Sequence, residues 1–169
     1  MYPSTEVLKY LLERDGSTRD ITFRPAARWR LIAFCEQLLS KYSIESLSDS
    51  EGEDQAEALK VHDWETLFGS SCGHSFGVFR SDSAIIQRLL CFVDWDLSDH
   101  SEYEVELSFF PTDLCPTTFT LPAFRELVEE WRTVLGADDY FVRQENASWD
   151  LYDSTGLGVI YTHLRPPLH

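Results

Sequence analysis

Leu89-Leu90-Cys91-Phe92-Val93-Asp94-Trp95-Asp96-Leu97 and, five residues on, Tyr103-Glu104-Val105-Glu106-Leu107-Ser108-Phe109-Phe110 are the stretches that decide the fold. Both read with the period of two that sends successive side chains to opposite faces of a strand. Val93, Trp95 and Leu97 share a face, as do Tyr103, Val105, Leu107 and Phe109. Asp94 and Asp96 lie opposite the first set, and Glu104 and Glu106 opposite the second. Taking residues 98–102 as the loop of a hairpin pairs Leu97 with Tyr103, Asp96 with Glu104 and Asp94 with Glu106. Four carboxylates then share the wet face of a sheet. Like charges placed directly opposite cost about 0.2–1 kcal/mol per pair.

Working outward, further strands are expected at Arg19–Arg24, Ser75–Arg80, Tyr140–Tyr152 and Leu157–Leu164. Helices are expected over residues 4–14, with Gly16 as a stop, and from Pro25 to about Tyr42. A short helix is expected around residues 55–67. Another is expected over 121–135, capped by Thr120 and ended by Gly136. Leu31, Phe34, Cys35 and Leu38 form the buried stripe of the second helix, and Phe124, Leu127, Val128, Trp131 and Leu135 that of the last. Hairpins with helices before and between them imply an α+β fold. The expectation is a single domain over residues 1–169, with an antiparallel sheet of about five strands and helices packed mainly on one face.

The chain has 169 residues, 29 acidic and 14 basic, for a net charge of −15. Only three of the bases are Lys, and binding nucleic acid or an anionic membrane needs clustered Lys and Arg. Residues 1–43 hold five acids and seven bases, so the deficit lies beyond them. Residues 45–65 carry eight acids against Lys60, and residues 94–113 carry seven acids and no Lys or Arg. In 43–57, Ser43, Ser46, Ser48 and Ser50 interleave with Glu45, Asp49, Glu51, Glu53 and Asp54. With few apolar groups to offset ordering entropy, this stretch is expected to be a mobile acidic loop.

No apolar run approaches the roughly 18 residues of a membrane span. Cys35, Cys72, Cys91 and Cys115 are widely spaced, which points to a reducing cytoplasm and no disulfide framework. No array of His, Cys or carboxylates has zinc-like or EF-hand spacing, so neither metal nor cofactor is expected. Cys72 and His74 could form a nucleophile–base pair, but a plain loop explains the Gly-flanked stretch 69–74 as well. Trp29, Trp64, Trp95 and Trp131 read as core or half-buried. Trp149 reads equally as core or as a surface anchor beside Asp150 and Tyr152.

Three uses compete for the hairpin acids: a solvated face, a docking surface for a basic protein, or a metal or paired-carboxylate site. In size, acidity and layout the chain resembles bacterial toxin-immunity proteins of the small acidic α+β type. The resemblance implies a non-enzymatic protein that neutralises a cognate basic toxin by covering it. Asp94, Asp96, Asp99, Glu102, Glu104 and Glu106 would then form the contact surface, with Trp149, Asp150 and Tyr152 added. An acidic surface facing a basic site also speeds encounter by electrostatic steering. The alternative is an acidic adaptor or type III secretion-type chaperone holding an effector segment. An adaptor regulated by phosphorylation of the 43–57 serines also remains open.

Overall fold

The computed structural model describes residues 3–97, 103–145 and 158–166. Seven strands form one antiparallel sheet: β1 (Arg19–Ala26), β2 (Ser43–Asp49), β3 (Cys72–Arg80), β4 (Arg88–Asp96), β5 (Tyr103–Phe109), β6 (Asp139–Gln144) and β7 (Val159–Thr162). Their spatial order is β2-β3-β4-β5-β1-β6-β7, with β1 inserted between β5 and β6. Five helices accompany them: α1 (Ser4–Leu12), α2 (Arg28–Lys41), α3 (Ala56–Lys60), α4 (Trp64–Phe68) and α5 (Leu121–Leu135). The α+β class, the antiparallel sheet and its helix-covered face agree with the sequence reading. The sheet has seven strands where about five were expected.

One face of the sheet is the core. Ile21 and Phe23 of β1, Val105, Leu107 and Phe109 of β5, and Tyr140 and Val142 of β6 are all essentially inaccessible there. The apolar stripes of the helices close over them. Phe124 of α5 meets Phe109 at 5.7 Å between ring centroids, and Phe34 of α2 meets Trp131 of α5 at 6.5 Å. Thr120 accepts a hydrogen bond from the Ala123 N–H at 3.2 Å, capping α5. Gly136 ends it in the left-handed region at φ 66°, where a side chain is disfavoured.

Each departure from the sequence reading has a structural cause. Residues 43–49 are an edge strand, not a loop. Ile44 and Leu47 stand an odd number apart, which hides a period of two. A bulge at Glu45 takes up the extra residue, so Ile44 pairs with Phe79 and Leu47 with Gly77 on the core side. Pro25 lies at the end of β1 and not in a helix, beside the irregularity between Phe23 and Ala26. A bulge tolerates a residue with no N–H to donate. The helix expected over 55–67 is two. His62 turns the chain at φ 59°, and Asp63 then caps α4 by accepting from the Thr66 N–H at 3.2 Å.

The β4–β5 register also differs, by two residues. Asp94 lies opposite Glu104, Phe92 opposite Glu106, and Trp95 opposite Tyr103. The pairs Asp96–Glu104, Asp94–Glu106 and Leu97–Tyr103 do not form. A slip of two preserves the faces, so the apolar side stays inward. The end of β4 is committed to β3. Asp96 pairs with Cys72, and the Leu97 N–H donates to the Ser71 carbonyl at 2.8 Å. Trp95 lies over Gly73 and donates its indole N–H to the Ser70 carbonyl at 3.1 Å. A Cβ at Gly73 would fall 2.3 Å from the Trp95 ring. Gly73→Ala is therefore expected to lower the unfolding free energy by about 1–3 kcal/mol through overpacking. Urea unfolding followed by Trp fluorescence reads the loss as a lower midpoint.

Candidate interaction surfaces

The face of the sheet opposite the core carries the expected acids, and side chains from neighbouring strands engage several of them. The Asp94 carboxylate is 2.7 Å from His74 Nδ1, directly across the β3–β4 pair. Glu104 is 2.6 Å from Arg24 Nε, and Glu106 is 2.5 Å from Arg143. Arg143 also lies 4.0 Å from Asp20, whose carboxylate accepts from Thr18 Oγ1 at 2.9 Å and Ser108 Oγ at 2.8 Å. Burial raises the Glu106 carboxyl above its usual range, and the Asp20 charge adds to this. Arg143 and Thr22 pull it back down. The repulsion expected between facing carboxylates is thus met by cross-strand partners. The hairpin on its own does not reveal them, because they enter from β1, β3 and β6.

The placement of the expected contact residues follows from this. Asp94 and Asp96 are exposed, Glu104 and Glu106 half-buried. The register brings Asp94 and Glu104 together and sets Asp96 against Cys72 of β3. Asp99, Glu102, Trp149, Asp150 and Tyr152 lie outside the described residues. Cys72 and His74 are on strand β3 and not in a loop, and the His74 ring is engaged by Asp94. Among the described residues, no group of three or more His, Cys, Asp or Glu side chains is arranged to hold a metal ion. No helix among them is long and apolar enough to cross a membrane.

A second set of carboxylates lies at the β2 edge and in the short helices beyond it. Glu51, Glu53, Asp54, Glu57, Asp63 and Glu65 are all exposed. Asp49 shapes the turn that presents the first of them. Its carboxylate accepts from the Glu51 and Glu53 N–H groups at 2.9 and 3.0 Å and from Gln55 Nε2 at 2.8 Å. Those hydrogen bonds hold it below the usual carboxylate range, the one from Glu53 most of all. The matching cations are Lys60, 2.6 Å from Glu57, and Arg28, 2.9 Å from Glu65.

Of the tryptophans, Trp95 and Trp131 are core and Trp64 is half-buried, as expected. Trp29 is not core: 63% of it is exposed. A signal was present in the sequence. Trp29 precedes Leu31 by two residues, about 200° around a helix from the buried stripe.

The fold is one that occurs in a toxin–immunity pair. This chain aligns with a chain of the complex between the toxic C-terminal tip of CdiA from Pseudomonas aeruginosa and its immune protein, at a TM-score of 0.62 and 16% identity. The alignment covers 90% of this chain and 99% of that one. A Pseudomonas aeruginosa type VI secretion system protein aligns at a TM-score of 0.43 and 12% identity, covering 76% of this chain and 40% of that chain. That score carries no argument. No protein-family description and no curated protein matches the sequence.

Proposed function

We propose that this chain is a cytoplasmic binding protein that neutralises a basic protein toxin by covering it, and that it acts by occlusion and not by catalysis. The observation that carries the reading is the shared fold, nearly end to end, with a chain of a toxin–immune protein complex. The net charge of −15 agrees with a basic partner. Charge of one sign on a binder raises the encounter rate with an oppositely charged target and makes it salt-dependent.

Tagged full-length protein purified from its own cells at low salt is expected to bring down a protein of net positive charge. Adding the purified chain to that protein should abolish its activity at a one-to-one ratio. Raising the salt should slow association more than it speeds dissociation. A partner that stays fully active when saturated with this chain overturns the proposal and favours an adaptor or chaperone.

A further inference from the structure

We propose that the open face of β3, β4 and β5 is the docking surface for a basic protein. Arg or Lys stems of the partner would lie along Phe76 and Phe92, and their charges would reach Asp94, Asp96 and Glu104. This rests on the reading that the partner is a basic protein, and it names where that protein sits. The strand register places the residues. Phe92, Asp94 and Asp96 alternate with the buried Cys91, Val93 and Trp95 on β4, so they point away from the core. Across β3 they face Phe76, His74 and Cys72, and across β5 Asp94 faces Glu104. All five helices contribute to the core cluster on the opposite side.

An aromatic pair stands at the middle of this face. The Phe76 and Phe92 rings are 4.6 Å apart between centroids, and His74 lies 6.4 Å from Phe92. Both phenylalanines are half-buried, although they lie on the side away from the core. Aromatic rings of this kind accept the apolar stem of an Arg or Lys and attract its charge. β4 is paired along one side with β3 and along the other with β5. The surface is therefore preorganised, and docking on it costs little chain entropy.

Charge complementarity names the occupant. On one side of the aromatic pair stand Asp20, Asp94, Asp96, Glu104 and Glu106 against Arg24 and Arg143, a surplus of three carboxylates. Asp20 and Arg143 are almost fully buried and Glu106 largely so, so they add to the local potential and stay out of the contact. Asp94 and Asp96 are exposed and reachable. On the other side, Arg80 and Arg88 face each other across β3 and β4, with Glu45 3.3 and 3.6 Å away. The face thus runs from a slight positive excess to a clear negative one over about 26 Å of β4. That gradient orients a basic partner, whose cations belong over Asp94 and Asp96. A second copy of this chain would bring its own net charge of −15 and be repelled.

The probe is a helical peptide of Arg and Leu, titrated into the ¹⁵N-labelled full chain. The amides of residues 72–76 and 92–96 are expected to shift first. The Asp94→Asn and Asp96→Asn variant should bind about tenfold more weakly, and adding Phe92→Thr should weaken it further. The Glu57→Gln and Glu65→Gln variant removes the same charge from the other acidic region and should stay within about twofold of the parent. Amide spectra of the free variants verify that each is folded, and the Asp94/Asp96 variant keeps the test open if Phe92→Thr does not fold. Equal weakening by the two charge variants, or shifts centred on residues 57–65, overturn the proposal. A toxin neutralised equally well by the Asp94/Asp96/Phe92 variant overturns this surface and leaves the neutralising role standing. Peptide binding at this surface, with a captured basic protein that stays fully active when saturated, leaves the surface standing and removes that role.

Discussion

Replacing Arg143 with Met is expected to lower the unfolding free energy by about 3 kcal/mol or more at pH 7. The Arg143 and Asp20 side chains are almost fully buried and Glu106 is largely so. Methionine matches the length of the arginine stem but supplies no charge. Two carboxylates would then share a poorly solvated site on neighbouring strands. The loss is expected to depend on pH with a definite sign. The native Glu106 carboxyl already binds its proton more tightly than its usual value implies, burial being the main cause. Its ionisation therefore costs stability, and that cost is absent below the ordinary carboxylate range and present above the native value. Removing Arg143 takes away the main offset and widens the window upward. The deficit of the variant relative to the parent should shrink between pH 7 and pH 4. Urea unfolding of both proteins at several pH values measures it, and an equal deficit at all of them would contradict the ion-pair account.

Arg19→Met is expected to cost about 3 kcal/mol, with a local signature. Arg19 is completely buried. Its Nε donates to the Tyr10 carbonyl at 2.6 Å and its Nη2 to the Glu13 carbonyl at 2.8 Å. These are among the end carbonyls that a helix cannot satisfy internally. Nη1 adds the Thr18 carbonyl at 3.0 Å and Ser17 Oγ at 2.8 Å. One guanidinium thus fastens the end of α1 to the start of β1. Without it, hydrogen exchange should lose protection in α1 before β4 and β5. Lysine at this position should rescue little, because it lacks the planar fork.

Asp15 provides a second readout of that corner. The Ser17 N–H first, then the Ser17 hydroxyl and Arg19, hold its carboxyl down at about 2. Its stabilising contribution is present above the ordinary value of 3.8 and is lost as pH falls toward about 2. In the Arg19 variant the carboxyl should titrate higher, which side-chain NMR can follow.

The period-two stretches 89–97 and 103–110, the helical stripe of 121–135 with its Thr120 and Gly136 ends, and the segmental charge were enough to reach an α+β fold with one covered face. Each of these signals is local: a side-chain period, a cap, a count. Three features were not local. The edge strand at 43–49 was hidden because a bulge broke its alternation, and only pairing with β3 restores it. The register of β4 on β5 was set by the other neighbour of β4, through Trp95 on Gly73. The chemistry of the acidic row depended on Arg24, His74 and Arg143, which reach it from strands distant in sequence.

The order of neighbours thus marks the boundary. Pattern within a segment determined which side chains face inward, because burial rewards the same period whatever lies alongside. Tertiary structure alone decided which carboxylates are matched, because an ion pair is a contact between strands. The row that looked like a free acidic surface is partly neutralised, Arg24 pairing with Glu104 and Arg143 with Glu106.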